Sequence, residues 1–318
     1  MSVPRDHPHV TVDDVASGVL LASLDSGELG LLEPPLAEGL RAVVRRAEDD
    51  PDVRAVVITG THPHRFVSHA SIRWLQEGGR DSPSVGPRAA AAFGRLGTAV
   101  NRTRVLEPLA RRTPLAGILE LDRFHDTLLR MNASGAIFVA ALNGSALGAG
   151  AELSWACDLR LMAEGEHFIG QPEILLGFNP GGGGTQRLTR LVGTHRALLA
   201  ILEGRPFPAR EALDVGLIDE LVPPDRLLSR AVEAAEGFAR RSKDGIAAVK
   251  RSVYLGGSEP LADGLRRERA EFVSILGGAD AQERMLEYMA RTDADGELPL
   301  YDPQLYAEAL RSGRVPGP

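Results

Sequence analysis

The chain begins with alternation. Residues 9–25, HVTVDDVASGVLLASLD, interleave apolar and polar side chains around Ser17-Gly18, which predicts two strands joined by a hairpin turn. The period then lengthens. From about Pro34 to Glu48, Leu36, Leu40, Val43, Val44 and Ala47 fall on one helical face, and Asp49-Asp50-Pro51 ends the pattern. Val53–Thr59 reads as a buried strand, Gly60 to Ser71 as a loop, and Ile72–Gln76 as the start of a short helix. Strand, helix and strand in succession predict an α/β fold with its sheet covered.

Between about residues 78 and 112 the pattern loosens into a run rich in glycine, proline, alanine and then arginine, read as an insertion: a partly helical lid or a solvated excursion. A helix returns at Ile118–Met131, with Ile118, Leu121, Leu128 and Leu129 expected inward. Ala136–Leu142 and Asp158–Met162 read as buried strands. TQRLTRLVG, HRALLAILEG and PAREALDVG are helical and end on glycine, the usual C-terminal stop. Leu217–Val222 reads as a last short strand. Helices are then expected over Asp225–Arg240, Asp244–Leu255, Leu261–Leu276 and Ala281–Ala290. The expected organisation is an α/β core over residues 1–223, a helical layer over 224–292 that offers an assembly surface, and an extended, poorly packed tail over 293–318.

Composition narrows the function. A formal net charge of −7 over 318 residues disfavours a nucleic-acid surface, which needs a basic patch or stripe. No apolar run is long enough to span a bilayer, and no secretory pattern opens the chain, so the expected setting is cytoplasmic. The single cysteine, Cys157, reads as a small buried core residue and makes a cysteine-based metal site unattractive.

Candidate chemistry gathers between Ile137 and Leu188. IFVAALNG leads into ALGAGAELSWACDLRL, followed by HFIGQPEILLG and FNPGGGGTQRLTR. Glu152 and Glu173 are acids embedded in turns that are otherwise apolar or glycine-rich. Glycine loops that open helices leave backbone N–H groups bare. Two acids facing such donors suit proton transfer beside a developing negative charge.

LNGSALGAGAE and GQPEILLGFNPGGGGTQRLTRLVG resemble the signature of the crotonase superfamily, the enoyl-CoA hydratases and isomerases. The clear resemblance runs from about Ile137 to Val253, with a weaker one over the N-terminal strands and helix. It implies a spiral of β-β-α turns with a helical C-terminal subdomain, and a homotrimer or a hexamer built as a dimer of trimers. It implies a thioester substrate, carried on CoA or on an acyl-carrier protein, and neither cofactor nor metal. The backbone N–H groups of Ala70 and Ala149 are the implied oxyanion hole. Glu152 and Glu173 are the implied pair acting on one water, Glu173 giving a proton to the α-carbon while Glu152 orients and deprotonates water. Ser68, His69, Ile72, Arg73, Gly148, Pro172 and Gly181 are the implied substrate-binding residues. Hydration of a 2-enoyl-CoA, or its reverse, is the expected reaction. Double-bond isomerisation, thioester hydrolysis and an inactive acyl-CoA-binding scaffold are the alternatives. Arg187 and Arg190 read as structural or interface cations.

The sequence departs from that family at two places. In Phe66–Arg73, His69 stands where the family has glycine and Ser71 where it has aspartate. Ser71 can still cap the next helix. His69 either adds a hydrogen bond or proton carrier near the carbonyl, or turns outward into solvent. LDSGELGLLEPPL replaces the family's usual arginine-proline and asparagine-alanine pairs, with Gly27 and Gly30 in a loosened turn that in relatives borders the acyl or pantetheine channel. Arg73 stands where relatives often have a lysine near the CoA phosphates, or is simply solvated. His62 and His64 read as a surface loop rather than a metal site.

Overall fold

The computed structural model describes residues 9–80, 85–103 and 116–318. β1 (Val10–Ala16) and β2 (Val19–Leu24) form the expected antiparallel hairpin. Gly18 turns it with φ 72°, and a Cβ there would lie 2.9 Å from Asp52 O, so the turn demands glycine. β3 (Leu31–Leu32) leads into the helix Pro34–Asp49, whose buried face is Leu36, Gly39, Leu40, Val43, Val44 and Ala47. β4 (Ala55–Gly60), β5 (Arg65–Val67) and β6 (His69–Ala70) precede the helix Ile72–Arg80. β7 (Ile137–Leu142) and β8 (Ser145–Leu147) precede the helix Ala149–Ala156. β9 (Leu159–Ala163) and β10 (Phe168–Gly170) precede the helix Gly184–Val192. β11 (Phe207–Pro208) and β12 (Glu220–Val222) complete the strands.

This repetition of strand, strand and helix winds the chain between sheets. One strand of each turn joins a six-stranded sheet ordered β1-β2-β4-β7-β9-β12, parallel except at β1. Its companion joins either the four-stranded sheet β11-β10-β8-β5 or the pair β3-β6. β4 and β7 lie at the centre and send alternate residues to two cores. Val56, Ile58, Phe138, Ala140 and Leu142 pack with the helix Pro34–Asp49 and its neighbours. Val57, Val139 and Ala141 pack against Leu227, Ala231 and Ala235. Burial on both faces is why these strands read as unbroken apolar runs.

Three expectations need correction, and the insertion keeps its partly helical reading. The helix at Ile118–Met131 runs over Ala116–Ala133, but its buried face is Leu119, Arg123, Phe124, Thr127, Leu128, Met131 and Asn132; Leu121 and Leu129 are exposed. Part of the supposed insertion, residues 81–84 and 104–112, lies outside the described residues. The remainder is helical: Pro87–Thr103 docks on the helix Ala116–Ala133 through Val100 and Leu119, and Thr98 and Asn101 both donate to Asp122. The core does not stop at residue 223, because the helix Leu227–Ala239 covers the sheet. The tail after Thr292 is not extended. The helix Ala279–Asp295 continues past it, and a further helix, Pro303–Ser312, starts on Asp302, whose carboxylate accepts from the Gln304 and Leu305 N–H groups. Arg314 then pairs with Glu283 and Glu287. Among the described residues, no helix is long and apolar enough to cross a membrane.

Candidate active site

The two segments expected to carry the oxyanion hole are bonded directly to each other. Leu147, at the end of β8, donates its N–H to Ser68 O at 2.9 Å. Gly150 packs so closely on β5 that a Cβ there would lie 2.0 Å from Val67 O. Gly148 turns with φ 49° to open the helix Ala149–Ala156, and Glu152 N–H makes that helix's first bond, to Gly148 O at 3.0 Å. The Ala149 N–H therefore precedes the helical ladder, at its positive end. Just past β6, Ser71 N–H donates to Leu32 O at 2.9 Å. Successive amides of a strand point to opposite sides, so the Ala70 N–H points away from β3.

Glu152 follows within one turn of that helix start. It is 2 % exposed, and its Oε1 accepts from Gly182 N–H at 2.8 Å and Gly184 N–H at 2.7 Å. The glycine run is thus a cradle for a carboxylate. A Cβ on Gly182 would lie 2.1 Å from Glu152 Oε2 and 2.8 Å from the Phe124 ring. Burial raises the Glu152 pKa; the two amides and the Arg187 guanidinium oppose that rise.

Glu173 opens a 3-10 turn, Glu173–Leu176, after Pro172, and Gly177 closes it in the left-handed region. Its carboxylate is aimed at the other helix start: a Cβ on Gly148 would lie 2.8 Å from Glu173 Oε1 and 3.2 Å from His69 Cβ. Glu173 Oε2 is buried and has no hydrogen-bond partner among the described residues. Such an orphaned acceptor marks a place built for another group. Burial, together with the negative charge of Glu152, pushes the Glu173 carboxyl up to about 7. Gln171 joins the two glycine turns, its Nε2 donating to Gly148 O at 3.2 Å while its amide packs on Gly184.

His69 does not turn into solvent. Its Nδ1–H donates to Ala70 O at 2.8 Å, which folds the ring back along β6. Ser68 Oγ–H donates to Leu29 O, and Ser68 N–H to Gly30 O, so the unusual LDSGELGLLEPPL loop braces the same segment. Ser71 caps the next helix, accepting from Trp74 N–H. Ile72 and Arg73 are exposed at its start. Gly181 O accepts from His125 Nε2 at 2.6 Å. The sequence reading did not single out Gln171, Phe124, His125 or the cradle amides of Gly182 and Gly184. Only the run of four glycines signalled the cradle, and the other three reach the site from neighbouring elements.

Two acids whose pKa values are both raised by burial, beside the Ala70 and Ala149 amides, form a set that can move protons at a carbon next to a carbonyl. The family model for enoyl-CoA hydratase/isomerase matches residues 119–296. A probable mitochondrial enoyl-CoA hydratase from Dictyostelium discoideum is 32% identical over 264 residues, 83% of this chain and 81% of that protein. This chain belongs to the enoyl-CoA hydratase/isomerase family. A probable enoyl-CoA hydratase of Rhizobium meliloti is 44% identical over 157 residues, 49% of this chain and 61% of that relative's length. An enoyl-CoA hydratase structure from Bacillus anthracis superposes with a TM-score of 0.69 at 26% identity, covering 92% of this chain and 98% of that one. The crotonase fold implied by the sequence signature is thereby the fold of this chain.

Proposed function

We propose that this protein hydrates a 2-enoyl thioester to the 3-hydroxyacyl thioester, or runs the reverse. The observation that carries this reading is the placement of two glutamates at one helix start, Glu152 buried on the Gly182 and Gly184 amides and Glu173 with a buried Oε2 that has no partner among the described residues. The thioester oxygen accepts from the Ala70 and Ala149 N–H groups, which face the charge that develops there. Glu152 takes a proton from water as the oxygen bonds to the β-carbon. The electron pair of the double bond moves toward the carbonyl as an enolate, and Glu173 delivers its proton to the α-carbon. One water is consumed, and the two glutamates have exchanged protonation states, which solvent restores. A carboxyl held near 7 suits the donor role at neutral pH.

The handle is CoA or an acyl-carrier protein, with Ile72 and Arg73 exposed at the mouth to meet it. Pro172, Gly148 and Gly181 shape the acyl side, with Ser68 and His69 bracing the oxyanion side. Isomerisation and hydrolysis draw on the same enolate, but a second acid placed to activate water favours hydration. No cofactor enters the scheme. A trimer or hexamer is part of the reading, supported by the apolar residues left exposed on the C-terminal helices. A cytoplasmic setting suits the single buried thiol of Cys157.

The test is incubation of the protein with crotonyl-CoA, followed by loss of the conjugated absorbance and identification of the product. A 3-hydroxyacyl-CoA is expected. A shifted alkene or free CoA would reassign the reaction, and tight binding without turnover would make the protein a scaffold.

A further inference from the structure

Arg187 stands one turn into the helix Gly184–Val192, behind the cradle that holds Glu152. Its N–H donates to Gly183 O, and its Nε lies 3.3 Å from the Cβ position of Gly183, between the two amides that bind Glu152. The guanidinium is fixed from the other side. NH1 donates to Asn132 Oδ1 at 2.7 Å, and Asn132, 3 % exposed, is itself anchored by donating to Ala156 O at 2.9 Å. Arg187 Nε is buried with no hydrogen-bond partner among the described residues. A buried guanidinium keeps its charge, so an unspent donor here needs a reason. Its charge acts on Glu152, and that of Glu152 acts on it.

We propose that Arg187, held by Asn132, is a positioning residue for Glu152: its guanidinium fixes the negative charge on that carboxylate and so makes Glu152, not Glu173, the group that takes the proton from water. This rests on the hydratase reading and assigns its base. The other groups facing the pair do not compete. Among the described residues, no cation acts on Glu173 in this way. Tyr254, on the π-helical turn Arg251–Leu255, and Cys157, at the end of the helix Ala149–Ala156, are both pushed upward by burial, Cys157 to about 12, and stay neutral. Arg190 on the same helix is a second cation; it donates to Ser258 Oγ and Gln186 O. His125 and His69 are engaged with Gly181 O and Ala70 O.

The sign of the effect follows. With Arg187 in place, the guanidinium favours the ionised form of Glu152, and that charge helps hold Glu173 protonated to a higher pH. Neutralising residue 187 raises the Glu152 pKa, while Glu173 still titrates beside an ionised Glu152. The acid limb of the hydration profile then moves up toward an alkaline limb that does not fall, and the bell narrows. A nearby cation favours the ionised form of a carboxylate, so kcat/KM below the acid limb should fall several-fold more than it does at the plateau. The two limbs belong to the coupled pair.

The test compares pH profiles of kcat/KM for wild type, Arg187→Gln, Arg187→Lys and Asn132→Ala. Alongside them, a carboxyl carbon NMR titration follows the Glu152 resonance, assigned by its loss in Glu152→Gln. Arg187→Gln should narrow the bell and raise the Glu152 titration, Arg187→Lys should restore both, and Asn132→Ala should shift them partway. A uniform loss of rate with fixed limbs, or an unmoved Glu152 titration, would overturn the proposal. If Arg187→Gln does not fold, the Asn132→Ala titration decides. A wild type that hydrates nothing would sink the hydratase reading, while the Glu152 titration would still judge the charge assignment.

Discussion

Gly182 carries the tightest constraint in the site. Any side chain there meets both the Glu152 carboxylate and the Phe124 ring, and both of those are buried. The carboxylate must leave its two amides or the loop must lift. Gly182→Ala should therefore lower kcat about a hundredfold, since a displacement of about 1 Å in a reacting group costs on that order. Steady-state kinetics check this, and a rate within threefold of wild type would contradict it. The glycine run was visible in the sequence as bare amides at a helix start. Which acid those amides hold was not, because Glu152 lies some thirty positions earlier and meets the loop only through the packing of two helices. His69 shows a similar limit. The sequence left its ring between pocket and solvent, and a bond to the very next carbonyl placed it.

At the scale of elements, one buried ion pair fastens the C-terminal helices to the sheet. Lys250, near the end of the helix Lys243–Lys250, donates to Asp158 Oδ2 and Ala136 O, both at 2.7 Å, and its Nζ stands 5.2 Å from the centre of the Phe138 ring. Asp158 also accepts from Phe138 N–H and Tyr254 Oη. Asp158→Ala strands the Lys250 charge in the interior and should cost about 3–5 kcal/mol of stability. Equilibrium denaturation would show it, and a loss below about 1 kcal/mol would mean the pair is dispensable. The central strands were legible because burial on both faces leaves only apolar residues. The helix Ala116–Ala133 was misread on its inward face because Arg123, Thr127 and Asn132 are buried polar residues. Each finds a partner that periodicity cannot reveal: Asn101 for Arg123, the Arg123 carbonyl for Thr127, Arg187 for Asn132.

For the molecule as a whole, the outer helices raise a question of burial. The helices Leu261–Leu276 and Ala279–Asp295 bury no residue, yet Leu261, Leu265, Phe272, Val273, Leu286 and Met289 are all more than half exposed. Apolar area of this kind is costly in water, at roughly 25 cal/mol per Å². Multi-angle light scattering should give a mass three or six times that of the 34.0 kDa chain. Phe272→Asp with Val273→Asp should reduce it toward one chain. A wild-type monomer would leave those faces without their expected partner. The sequence predicted this helical layer but drew its border too early, because the small residues Ala231 and Ala235 seat the helix Leu227–Ala239 on the sheet with no bulky apolar signal.

Glutamate-to-glutamine substitution at each acid reaches the centre of the account most directly. Glu152→Gln and Glu173→Gln keep the size of the side chain and remove its proton chemistry. Single-turnover hydration of crotonyl-CoA by each folded variant, beside wild type, should fall about 10²–10⁴-fold while thioester binding persists. Near-normal turnover by either variant would contradict the two-acid mechanism.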